Sequence, residues 1–146
     1  MPTLTEAVTN AATKPAVIDD CCKLIDDEVA DKSGLSGLAI KAGYGVVKGV
    51  KPGFVRSVVN ELLPDFAKAL EPLENEATAQ GKKVAAHFVV NGGRVADALL
   101  GVTDERAKRA DSGVVKGAYQ RLRPTAKKHV EAAVPRLGKL IEKHAG

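Results

Sequence analysis

The stretch that most limits the choice of fold is KPGFVRSVVNELLPDFAKALEPL, residues 51–73. Its apolar side chains, Phe54, Val55, Val58, Val59, Leu62, Leu63, Phe66, Leu70 and Leu73, recur at three- and four-residue spacings. That pattern describes one face of an α-helix and does not fit the alternation of a strand. Burying each such side chain contributes roughly 1.5–3 kcal/mol. Ordering the chain costs about 1–2 kcal/mol per residue. The ridge is therefore viable only inside a core shared with other helices, and an all-α architecture is read around it.

A chain of 146 residues suits one domain, 1–146. That length suffices to bury about two-thirds of the unfolded surface. Aromatic residues make up 3% and Trp is absent. The core must then be built from Val, Leu, Ile and Ala, which favours close helix packing. The chain opens Met-Pro-Thr-Leu-Thr-Glu, so no secretory segment is read there. The longest uncharged run, Val84 to Gly93, has ten residues and includes His87 and Asn91. It is too short for a transmembrane helix, and a cytoplasmic location is the default expectation.

Thr3 and Glu6 form a capping box for a short opening helix, Leu4 to Asn10. Lys14-Pro15 starts the next, and Ser33-Gly34 ends it. Leu35 to Val50 reads helical despite Gly37, Gly43, Gly45 and Gly49. Each glycine costs about 1 kcal/mol relative to Ala. Small residues one turn apart admit a neighbouring backbone, so this segment is expected to be a thin, buried helix. Lys41, Lys48 and Lys51 exclude a span. Pro64 kinks or restarts the central helix, and Pro72 opens a short one reaching Gln80. Val84 to Leu100 is helical with a break at Asn91-Gly92-Gly93, a hairpin at His87–Val90 being the alternative. Further helices are expected from Thr103, from Asp111-Ser112 and from near Pro124, the last interrupted by Pro135. The sum is a compact bundle of five to seven helices.

The two halves echo each other. Tyr44, Pro52, Pro64 and Lys68 are answered by Tyr119, Pro124, Pro135 and Lys139, at offsets of 75, 72, 71 and 71 residues. An internal repeat over 15–73 and 83–146 would make two pseudo-symmetric halves. Chance alignment of Ala-, Val- and Lys-rich helices is the alternative. Charge is unequal: residues 1–75 carry 8 basic and 11 acidic side chains, and residues 76–146 carry 14 and 7. If the repeat is real, an acidic and a basic half would face each other.

No catalytic, metal or nucleotide motif stands out, and no cofactor is implied. A nucleophile elbow and a phosphate loop are both missing. Adjacent Cys21 and Cys22 point about 100° apart on a helix and read as reduced, buried small hydrophobes. Asp20, Asp27 and Asp31 share a side at helical spacing but read as a solvated face around Lys23. His87 reads as a core or edge histidine, His129 and His144 as surface. Two binding surfaces are candidates. One is an apolar groove between helices at Tyr44, Gly45, Gly49, His87 and Tyr119. The other is a basic patch of Arg106, Lys108, Arg109, Lys116, Arg121, Arg123, Lys127 and Lys128.

The segments SGLSGLAIKAGYGVVKGVKPG, RVADALLGVTDERA and AKKHVEAAVPRLGKL together resemble an uncharacterised bacterial protein family, a domain of unknown function, from Leu4 to the end. The resemblance implies a small stand-alone cytoplasmic protein and carries no activity, cofactor or site residue. The leading functional expectation is a non-catalytic binding protein whose groove takes a partner helix or a hydrophobic small molecule. An adaptor for nucleic acid or acidic lipid through the basic half comes second, and an enzyme with an unrecognised site third. Oligomeric state is left open, a homodimer included.

Overall fold

The computed structural model describes residues 3–145, which form seven helices. They are α1 (Leu4–Thr9), α2 (Lys14–Asp31), α3 (Gly34–Lys48), α4 (Phe54–Ala79), α5 (Val84–Val90), α6 (Gly92–Lys108) and α7 (Gly113–Ala145). The capping signal at the start is used as expected, the Thr3 hydroxyl accepting from Glu6 N–H at 3.1 Å. The predicted ridge lies on α4, where Val59, Leu62, Leu63, Leu70 and Leu73 are buried and Phe54, Val55, Val58 and Phe66 half-buried. α4 packs against α1, α2, α5 and α6, while α7 packs against every helix except α4. Val17, Phe88, Val95 and Val134 complete the centre between these two long helices.

Prolines do less to the helices than expected. α4 runs unbroken through Pro64 and Pro72, and α7 starts at Gly113 and runs through Pro124 and Pro135. No separate helix opens at Pro72 or near Pro124. The carbonyls each proline leaves without a partner belong to Asn60, Lys68, Gln120 and Glu131, all exposed. On an exposed face such a carbonyl is open to solvent, and packing on the opposite face keeps the helix whole. Thr103 likewise does not begin a helix. It sits inside α6, where its hydroxyl donates back to the Leu100 carbonyl at 3.1 Å instead of capping. Asn91 does separate α5 from α6, and the described residues contain no strand at His87–Val90.

The glycine-rich segment is the main correction. α3 is helical, but only Gly37 on it is buried. It is laid on the outside of the bundle and does not thread between other helices. Two close approaches exist: a Cβ on Gly37 would come within 2.8 Å of the Lys32 backbone, and one on Gly43 within 2.6 Å of Leu122 Cδ1 on α7. Gly45 has open space around it. A tighter seam lies elsewhere, at Gly138 of α7, where a Cβ would stand 2.7 Å from the Ala85 backbone of α5. Gly53, at φ +72°, supplies the left-handed turn that lets α4 start directly after the 49–53 bend.

Candidate functional site

The five residues of the expected groove do not converge. Tyr44 donates its hydroxyl hydrogen to Asp26 Oδ1 of α2 at 2.5 Å, with Lys48 lying 5.2 Å over its ring. Tyr119 turns to α6, donating to Asp104 Oδ1 and lying 2.7 Å from Thr103 Oγ1. Arg123 clamps both oxygens of Asp104, at 2.9 and 3.1 Å. Burial, with the Asp104 carboxylate beside it, raises the Tyr119 phenol to about 12, so it stays a neutral donor. His87 is buried against α4, its Nε2 3.1 Å from Glu76 Oε1. Arg94 grips the same carboxylate at 2.9 and 2.5 Å. Those bonds, Arg94 first and His87 second, draw the Glu76 carboxyl down to about 2. Gly45 and Gly49 lie on the exposed face of α3.

The basic patch is divided. Arg106 pairs with Glu61, Lys108 with Glu105, Arg123 with Asp104 and Lys127 with Asp97. Arg109, Lys116, Arg121 and Lys128 are exposed and have no ion pair among the described residues. The acidic face is neutralised too, in large part from the second half: Asp20 by Lys143, with His144 Nε2 2.6 Å away, Asp31 by Arg136, and Asp27 by Lys23. Among the described residues no cluster of three His, Cys, Asp or Glu side chains is placed to hold a metal ion. Burial pushes the Cys21 thiol up to about 12, which makes it a poor nucleophile at neutral pH. Two histidines depart from the surface reading. The His144 side chain is only 8% exposed, against Asp20. His129 has a buried Nε2 without a partner.

Two surface clefts occur among the described residues, the first with a mixed lining that includes Ala11, Ile18 and Pro52, the second lined chiefly by polar and charged residues. One, of about 540 Å³, lies between Lys14-Pro15 and Gly53, Arg56 and Asn60. The other, of about 570 Å³, lies between Glu28, Asp31 and Lys32 on one side and Lys128, His129 and Arg136 on the other. Charged groups in both are engaged in ion pairs, Arg56 with Asp19 and Arg136 with Glu28 and Asp31.

A family model described as a family of unknown function, DUF6918, matches residues 4–145. The chain belongs to this family. Its DUF6918 match thus spans all seven helices. No curated protein and no solved structure matches the chain.

Besides the four unpaired cations of the basic patch, apolar side chains stay exposed on this DUF6918 chain, at Val89 and Val90 of α5 and along α3. Leu35 is 88% exposed, Leu38 64% and Val46 47%. Val50, just past the helix end, is exposed as well, and so are Ala39, Ala42, Gly45 and Gly49. At 100° per residue these positions fill one outer arc of about 140° with no polar residue in it. Lys41 and Lys48 fall just beyond one edge, and Gly43, against Leu122, at the other. The sequence reading missed this face because it assumed the small residues pointed inward. A second signal was available: no carboxylate occurs from Lys32 to Asn60.

Proposed function

We propose that this is a non-catalytic binding protein that docks through the outer face of α3. The observation that carries the reading is the exposure of Leu35, Leu38, Val46 and Val50 in one continuous stripe. Scattered exposed apolar residues are ordinary, but a run the length of a helix marks an interaction surface. The tyrosines and His87 serve the frame, since their polar atoms are taken up by Asp26, Asp104 and Glu76. They hold α3, α7 and α5 in position and leave the stripe as the recognition element. An enclosed apolar groove is not needed for this reading.

The test is a photo-activatable side chain at Leu38, with exposed Thr78 of α4 as the control position, irradiated in living cells of the source. The expected result is a covalent adduct from position 38 and none from position 78. Clean, unmodified protein from both positions would overturn the reading.

A further inference from the structure

We infer that the occupant of the α3 face is an anionic lipid surface, an inference that rests on reading that face as the docking surface. Two stretches lack carboxylates altogether, 32–60 and 112–130. The structure brings them together. Gly43 meets Leu122, and Ser36 shares a cleft with His129 and Ala132, so α3 lies antiparallel along the first half of α7. Seven-residue steps line up Val114, Arg121 and Lys128 along one exposed side of α7 beside that contact. Val114 is itself 58% exposed.

The rim is mainly basic. Lys41, Lys51, Arg121 and Lys128 have no ion pair among the described residues, and Lys48 stands 3.9 Å from Asp26, the acid at this edge. A second copy docked face to face would set these cations against their own images, with no carboxylate in either stretch to offset them. Nucleic acid would satisfy the cations but offers nothing to Leu35 and Leu38. An acidic bilayer supplies both, headgroup charge for the rim and acyl boundary for the stripe. The length agrees, because α3 lies on the outside of the bundle and runs about 22 Å, which a flat, yielding surface can meet along its whole length. Lying in the interface plane asks for no spanning segment, and no helix of the described residues is long and apolar enough to cross a membrane.

The experiment floats the full chain with vesicles of mixed phosphatidylglycerol and phosphatidylcholine, and with pure phosphatidylcholine. Binding is expected to the first only, and to weaken as salt is raised. Leu38→Glu should lower partitioning by about tenfold or more, and Lys41→Glu with Lys51→Glu by about tenfold or more. Lys82→Glu, on the loop after α4, should leave it unchanged. Both changed surfaces are exposed, and an unaltered circular dichroism spectrum confirms that each variant is folded. No binding to the anionic vesicles overturns the inference, as does binding that Leu38→Glu leaves intact. A protein adduct or a self-adduct at position 38, with no vesicle binding, rejects lipid and keeps the docking face. A blank in both experiments rejects the two readings together.

Discussion

The first half of the molecule, α1 to α4, and the second, α5 to α7, use the same fastenings. A glutamate of the long helix reaches the first-turn amide of the short one: Thr5 N–H donates to Glu71 at 3.0 Å, and Ala85 N–H to Glu142 at 3.3 Å. A tyrosine donates to an aspartate of the preceding helix in each half, Tyr44 to Asp26 and Tyr119 to Asp104. Four residues on, Lys48 and Arg123 approach the same aspartates. Buried Leu63, Ala67 and Leu70 correspond to buried Val134, Gly138 and Ile141, each 71 residues later. These contacts support an internal duplication, which we propose on their strength. The difference lies in the long element. It is continuous in α7, but bent at 49–53 between α3 and α4. With Tyr44 set against Tyr119, the outward Gly45 and Val46 correspond to Gln120 and Arg121. One framework thus carries an apolar pair at this level in one half and a polar pair in the other, while Ala39 answers exposed Val114, apolar in both.

The largest effect should come from the tight seam of the second half. Gly138→Ala forces a methyl against the Ala85 backbone and should cost about 1–3 kcal/mol in urea unfolding, whereas Ala67→Gly should cost about 1 kcal/mol. Equal tolerance at both sites would show that the two seams have the same spacing. Next comes the tyrosine–aspartate device. Asp104→Asn loses a bidentate arginine and should cost about 1 kcal/mol, and Asp26→Asn, more exposed and with Lys48 at 3.9 Å, less than about 0.5 kcal/mol. Reversed magnitudes would break the comparison. The smallest effect is that of acid. Glu76, which ties α4 to α5 and α6, is depressed to about 2. A depressed carboxyl contributes stability above its ordinary range, and that stability is lost as pH falls from the ordinary range towards 2. Glu76→Gln should therefore flatten the fall in melting temperature between about pH 4.5 and 2. An unchanged slope would remove Glu76 from the account.

Much of the frame was legible because periodicity reports burial. The ridge beginning at Phe54, the cap at Thr3 and the break at Asn91 all follow from local chemistry, and they emerge as expected. Helix continuity at Pro72, Thr103 and Pro124 was not legible, because tertiary packing on the far face decides whether a weakened turn survives. The position of α3 was harder still. Small residues permit close approach on any side, and on α3 Gly37 meets Lys32 and Gly43 meets Leu122 while Gly45 meets nothing. Spacing says that a helix can be approached, and the rest of the chain decides from where. The expected groove failed to gather for a related reason: tyrosines that look alike in sequence answer to different aspartates.

α7 leans on α1, α2 and α3 as well as on its own neighbours α5 and α6. The halves are therefore clasped like two hands, and neither could be lifted out as a module. A nick at exposed Gly81, in the connection between them, would leave two fragments still embracing. On the ribosome, the first-made portion must wait for the last helix to emerge before it can finish its interior.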